Sequence, residues 1–346
     1  MAWYTARGLL GVAAASLLIF LVSLLALTPA ASYAATQPPV ALATVARQHG
    51  LKVQAREQGT ELTLTGEGVR MDFETGSREA TWNGYRLFLG EPPVMRNRHL
   101  TLAAADWFSV VRPLLDPTAV HAPGRLRLVV IDPGHGGSDP GTENRALKLK
   151  EKTYTLDVAR RLTRVLKKQG YRVLLTRTSD KRLQPTQAAD LRARAEKANR
   201  AGADLFISLH FNSLPDNSTV RGIETYTLTP AGQRSTAATK RSATDGVANP
   251  GNRHDHWNTI LSSFLHRRLV TKLAATDRGL KHARFAVLRP LHCPGALVEG
   301  GFLSSRSEAQ KIRSASYRQK MAEAIGDGIA DYAVQLRAAS VEKKNL

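Results

Sequence analysis

The sequence predicts an α/β fold: a mostly parallel sheet covered by helices on both faces, preceded by a small β-rich or α+β domain. Three observations carry this expectation. From Arg125 onward, short β-branched runs alternate with stretches of helical periodicity. Between Val40 and Pro117, apolar and polar residues alternate in short runs divided by glycines. Between the two lies Asp116 to Gly124, where Pro117, Pro123 and Gly124 break both patterns.

The elements follow in chain order. Arg7 precedes an apolar stretch from about Leu9 to Leu27, then Pro29 and Ser32-Tyr-Ala34. Residues 1–34 read as a secretory signal peptide cleaved after Ala34, or as an uncleaved membrane anchor. Either reading places the body of the chain in the periplasm or cell envelope. Residues 38–117 open with a helix near Ala41 to Gln48. Strands follow on Leu62 and Leu64, on Val69, Met71 and Phe73, and on Tyr85, Leu87 and Leu89, with turns at Gly59, Gly66, Gly76, Gly84 and Gly90. Residues 118–124 form the linker.

In residues 125–338 a strand at Leu128 to Ile131 stops at Asp132-Pro133-Gly134. Val158, Leu162, Val165 and Leu166 share one helix face, and Gly170 ends that helix. The spacing then predicts a strand at Tyr171 to Thr176, a helix at Ala188 to Arg200, and strands at Asp204 to Leu209 and Gly222 to Leu228. A helix at Asn258 to Thr276, a short strand at Ala296 to Glu299 and a helix at Tyr317 to Leu336 complete the domain. Residues 339–346 are a polar tail.

Composition narrows the partners. The formal charge is +20, from 49 Lys and Arg against 29 Asp and Glu, which attracts polyanions. Export argues against nucleic acid and for anionic envelope polymers or lipid head groups. Cys293 is the only cysteine, so no intramolecular disulfide forms. It lies in Leu291-His-Cys-Pro294 with no assigned base, and reads as a small, partly buried side chain.

Chemistry concentrates at strand ends. His135 sits between glycines in the loop that closes the Leu128–Ile131 strand, and His210 ends the run Leu205-Phe-Ile-Ser-Leu209. Two imidazoles and one carboxylate form an established ligand set for catalytic zinc. The carboxylate is expected from the intervening segment, either Glu151 at the opening of a helix or Glu143 in the loop. Glu299 ends another apolar strand, in Leu297-Val-Glu-Gly-Gly-Phe-Leu303. There a carboxylate can take a proton from water and return it to a leaving amine. Asp132 either orients an imidazole or caps the loop backbone. His254 and His256 lie in a polar insertion, Thr229 to His256, and read as solvated side chains. The glycines from Gly134 to Gly141 lack Gly-Lys-Ser/Thr and Gly-x-Gly-x-x-Gly, which argues against a phosphate or dinucleotide loop.

Six segments together resemble the zinc-dependent N-acetylmuramoyl-L-alanine amidases of the amidase-3 type. They are Ile131-Asp-Pro-Gly-His-Gly-Gly-Ser-Asp-Pro-Gly141, Leu149-Lys-Glu-Lys152, Leu175-Thr-Arg-Thr-Ser-Asp180, Leu191-Arg-Ala-Arg-Ala-Glu-Lys-Ala-Asn199, Ala203-Asp-Leu-Phe-Ile-Ser-Leu-His-Phe-Asn-Ser213 and Leu297-Val-Glu-Gly-Gly-Phe-Leu-Ser304. The resemblance implies a hydrolase of peptidoglycan, cutting between the lactyl group of N-acetylmuramic acid and L-alanine during wall remodelling or daughter-cell separation. It implies zinc on His135, Glu151 and His210, with Glu299 as the catalytic carboxylate. Arg194 and Asn199 would be structural supports, and Asn212 a substrate contact. Some members block the site with a helix in the insertion region until an activator protein arrives. Trp82-Asn-Gly-Tyr-Arg-Leu87 and Pro92-Pro-Val-Met-Arg-Asn-Arg-His-Leu100 resemble the copper-amine-oxidase N-terminal-like stalk domain, which implies a spacer or binding module. The rival readings are a zinc peptidase acting on stem peptides and a wall-binding protein with a vestigial site.

Overall fold

The computed structural model describes residues 37–214 and 217–341. The leader expected at residues 1–34, and residues 342–346 of the tail, lie outside the described residues. No described helix is long and apolar enough to cross a membrane.

The N-terminal region begins with β1 (Val40–Ala41) and α1 (Leu42–Gln48), then β2 (Lys52–Arg56), β3 (Glu61–Gly66), β4 (Val69–Glu74), β5 (Glu79–Trp82) and β6 (Tyr85–Phe88). β2 to β6 form an antiparallel meander. β7 (Val94–Arg96) and β8 (His99–Leu102) form a small sheet with β1. Two short helices, α2 (Ala104–Asp106) and α3 (Arg112–Leu115), flank a wider turn at Trp107–Val111. Leu64, Met71, Leu87, Leu89, Leu102 and Val110 fill the core beneath them. Alternation at Leu62, Leu64, Met71 and Phe73 puts these side chains on one face, as period-two patterning requires.

The second region carries β9 (Leu128–Pro133), the short β10 (Glu143–Asn144) and β11 (Leu149–Lys150), α4 (Glu151–Lys168) and β12 (Arg172–Leu175). It continues with α5 (Gln187–Arg200), β13 (Leu205–Asn212), β14 (Ile223–Leu228), α6 (Asp255–Leu273), β15 (Asp277–Ala283), β16 (Gly295–Phe302), α7 (Arg306–Arg313) and α8 (Ala315–Val341). The strand order is β12-β9-β13-β16-β14-β15, all neighbours parallel except β14 against β16. Val129, Ile131, Leu205, Ile207 and Leu209 pack on one face against α4, α6 and α8. Val130, Phe206 and Leu297 pack on the other face with Ala195 and Ala198 of α5. The sequence predicts a mostly parallel, helix-covered sheet, and the sheet found is of that kind, mixed only through β14 against β16.

Several boundaries differ, for physical reasons. β9 continues through Asp132 and Pro133 instead of stopping at Ile131, because the ladder to β13 is carried by Gly134 N–H donating to Leu209 O (3.0 Å) and needs nothing from the proline nitrogen. β16 continues past Glu299 through Gly300, where a Cβ would lie 2.2 Å from Met321 of α8. β15 was not predicted: Asp-Arg-Gly-Leu-Lys-His-Ala shows little apolar alternation, and its buried residues include Gly279 and His282. α7, a short and highly charged helix, was also missed.

β15 also pairs with β6, through Leu280 opposite Leu87, so the N-terminal meander extends the same sheet. Leu280 is buried within the N-terminal core. The insertion after β14 is held against the N-terminal region. Arg78 donates to the carbonyls of Ser235 (3.0 Å) and Ala238 (2.9 Å), Glu91 pairs with Arg234 and Arg241, and Asp106 accepts from Gln233 Nε2 at 3.0 Å.

Candidate metal centre and active site

The site lies at the carboxyl ends of β9, β13 and β16, where parallel strands open a crevice. His135 follows β9 in a left-handed conformation (φ 62°), between Gly134 and Gly136. His210 projects from β13, and Glu151 is the first residue of α4. Ligand atoms of His135, Glu151 and His210 all lie within 4.8 Å of one another, the only such group found among the described residues. Glu151 Oε1 lies 3.1 Å from His135 Nε2 and 3.0 Å from His210 Nδ1.

The carboxylate is fixed from behind. Oε2 accepts from Thr142 N–H at 2.8 Å, and Oε1 from Phe211 N–H at 3.0 Å. Burial pushes Glu151 up, but the bonds from His135 and His210 outweigh it and hold the group well below the usual carboxylate range. On His135, burial lowers the pKa while Glu151 and Asp139 raise it, and the net shift is upward. His135 Nδ1 lies 2.9 Å from Asp139 Oδ2, a carboxylate that fixes the ring's tautomer and leaves Nε2 facing the cluster.

Two glycines are required for this packing. A Cβ at Gly134 would come 2.2 Å from the His210 ring. One at Gly141 would come 2.6 Å from both Glu151 Oε2 and the His135 ring.

Two buried arginines hold the ligand loop. Arg194 donates to Asp132 (2.9 Å), Asp190 (2.8 Å), Pro133 O (2.8 Å) and His135 O (2.7 Å). Arg177 donates to Pro133 O (3.0 Å) and Gly134 O (2.9 Å). Burial lowers Arg177 to about 10, and Arg194 adds to the effect. Asp132 accepts from Thr176 (2.5 Å), Ser208 (2.9 Å) and Arg194, and from no imidazole. Among the described residues it takes neither expected role: it accepts from no backbone N–H and is tied to the loop only through Arg194, which itself donates to Pro133 O and His135 O.

Glu299 stands in register with His210 across β13 and β16. Its Oε2 is shut off from solvent and has no hydrogen-bond partner among the described residues. Burial, then the charges of Glu151 and Glu224, push this carboxyl well above its ordinary range. Two imidazoles and a carboxylate converging on one point, a glycine cradle around them and an unanswered carboxyl oxygen nearby fit a bound metal ion.

The other candidates lie apart. Glu143 is in β10, with its nearest cation Lys150 at 3.9 Å. His256 is buried, not solvated, with Nε2 3.0 Å from Pro117 O; burial lowers the pKa of both His254 and His256. Asn212 donates to Glu224 (2.7 Å) and accepts from Ser213 N–H (2.7 Å), so its amide is engaged at both ends. Asn199 donates to Pro290 O (2.7 Å) and accepts from His292 N–H (2.9 Å), tying α5 to the segment before β16. Cys293 is buried, and burial pushes its thiol to about 12. Asp139 and Arg177 were missed, although both lie inside motif segments of the sequence.

A helix-covered α/β sheet with a His/Glu/His cluster gathered at its strand ends defines an α/β protein with a candidate metal site. Residues 129–331 match the amidase-3 family model, described as N-acetylmuramoyl-L-alanine amidase, and the chain belongs to this family. It is 34% identical over 203 residues to the sporulation-specific N-acetylmuramoyl-L-alanine amidase of Bacillus subtilis (strain 168), covering 58% of this chain and 66% of that one. It is 32% identical to the germination-specific amidase of the same organism, covering 60% and 79%. To the amidase AmiC of Neisseria meningitidis serogroup B it is 33% identical, covering 60% and 53%. The chain thus spans 66% or less of the length of several curated relatives. Among solved structures it is similar to the N-acetylmuramoyl-L-alanine amidase of Clostridium difficile 630, with 31% identity, TM-score 0.48, and 60% and 97% of the two chains covered.

Proposed function

We propose that this chain is an N-acetylmuramoyl-L-alanine amidase, hydrolysing the amide between the lactyl group of N-acetylmuramic acid and L-alanine in peptidoglycan. The observation that carries the reading is the unpartnered Glu299 Oε2 beside the converging ligands His135, Glu151 and His210.

These three residues would hold a zinc ion, which when bound supplies Lewis acidity to the lactyl carbonyl. Glu299 takes a proton from the attacking water and returns it to the alanine nitrogen as the C–N bond breaks. One water is consumed, and a lactyl carboxylate and a free amine result. Asp139 holds the tautomer of His135, while Arg194 and Arg177 hold the loop that presents it. Residues 38–117 act as a module attached to a catalytic domain at 125–338, with 1–34 directing export to the cell envelope. The excess of basic residues supports a position close to anionic wall polymer or lipid.

The test is digestion of purified peptidoglycan with product masses. Peptides with free L-alanine amino termini, released by the zinc-loaded protein and not by Glu299→Gln, support the reading. Cleavage within the stem peptide overturns it.

A further inference from the structure

A second buried charge cluster lies beside the ligands and has no part in the mechanism above. Glu224 on β14 stands opposite Glu299 on β16. Its side chain is 3% exposed, and both oxygens are fully engaged. Oε1 accepts from Arg278 Nε (2.9 Å) and Lys281 Nζ (2.6 Å). Oε2 accepts from Asn212 Nδ2 (2.7 Å) and the Tyr226 hydroxyl (3.0 Å). Such a carboxylate has no capacity left for acid–base work. It is a clamp.

The clamp aims Arg278. Among the described residues, the hydrogen bonds of this side chain run only from Nε to Glu224, which leaves the terminal Nη pair unengaged. The guanidinium lies 5.2 Å over the Phe302 ring, and the side chain is 30% exposed. Lys281 is held between Phe88 and Tyr226, at 5.4 and 5.9 Å from their centroids. Phe88 comes from β6, and a Cβ at Gly279 would lie 2.7 Å from it. Two cations against one carboxylate leave a positive excess on this shelf.

We propose that Arg278 is a specificity residue that binds a carboxylate of the stem peptide through its free Nη pair. This rests on the amidase reading and names the part of the substrate that crosses β14 and β15. A scissile amide between His210 and Glu299 sends one arm of the substrate over those strands. Neighbouring strands are about 4.8 Å apart, so Arg278 is about 10 Å from Glu299 along the sheet, or about three extended residues. The sugar arm has no free carboxylate once its lactyl group is in amide linkage, whereas the peptide arm does. A guanidinium fork matches a carboxylate in two parallel hydrogen bonds.

The test uses the full chain loaded with zinc and two muropeptides that differ only in one stem-peptide carboxylate, free or converted to carboxamide. Wild type should prefer the carboxylate by roughly tenfold or more in kcat/KM. Arg278→Gln should lose this preference, with the loss confined to the carboxylate substrate. An equal fall on both substrates, or an unchanged ratio, overturns the proposal. Arg278→Lys keeps a cation against Glu224 without the fork; a folded Arg278→Lys that retains the wild-type ratio also overturns it. Binding of both muropeptides to Glu299→Gln, with and without Arg278→Gln, gives the same ratio as dissociation constants. Failure of wild type to cleave either compound counts against the amidase reading alone, because the binding ratio still decides the role of Arg278.

Discussion

Asp139 Oδ2 and His135 Nδ1 lie 2.9 Å apart, on the side of the ring away from Glu151. The pair is local, four residues apart in a loop that Arg194 and Arg177 hold by its carbonyls. Asp139→Ala should leave the fold intact and weaken zinc binding by roughly 10- to 100-fold, since carboxylates behind ligand histidines contribute about that much. Competition with a chelator of known affinity measures it; unchanged affinity would show that the loop alone orients the ring.

Glu299→Gln should retain zinc and lose turnover by roughly 10²- to 10⁴-fold, the usual contribution of a positioned acid–base group. Metal content and peptide release, measured on the same preparation, separate the two effects. Loss of metal along with turnover would instead make Glu299 a ligand.

Arg194→Met leaves Asp132 and Asp190 buried without their cation and frees the carbonyls of Pro133 and His135. Breaking a buried pair by removing one partner costs about 3–5 kcal/mol. Urea unfolding should show a loss of that order, with zinc affinity falling because the ligand loop loses its anchor. Full stability with weakened zinc would separate the two roles.

His282 is buried on β15, its Nδ1 2.8 Å from Thr227 Oγ1, and burial lowers its pKa from 6.5 to about 4. The folded state therefore favours the neutral ring. The stability this contributes is complete above the unfolded value of 6.5 and is lost as pH falls towards 4. His282→Gln does not titrate, so the stability gap between wild type and variant should shrink by about 3 kcal/mol between pH 7 and pH 4. A gap independent of pH would mean that the ring is already charged or solvated in the fold.

The insertion after β14 is tied at Arg78, Glu91 and Asp106 to the N-terminal region. Arg78→Ala should lower the unfolding temperature without raising turnover. A rise in activity would identify the segment as a lid.

The three residues that converge in the site were legible because each is local to a motif: His135 between glycines, His210 at the end of an apolar strand, Glu151 opening a helix. Alternation and helical periodicity likewise made the sheet and its covering helices readable. β15 was not legible, since Gly279 is kept for its contact with Phe88 and Lys281 serves Glu224, so neither follows a packing pattern. The Glu224 cluster joins β13, β14 and β15, and the residue spacing along one strand carries no sign of it. Asp132 was readable as an imidazole partner or a cap on the loop backbone, but not as the partner of Arg194, which depends on where α5 packs.

The single register contact between Leu280 and Leu87 has a consequence for solubility. Without the meander, β15 would end the sheet as an open edge with free N–H and C=O groups and an uncovered Leu280, the template on which chains add to one another. The meander closes that edge with strands that end at β2, whose residues are all exposed and include Lys52 and Arg56. The open end of the sheet is thereby moved from a strand carrying the buried Leu280 to one whose residues are all exposed, so the N-terminal region also works as an edge guard against self-association.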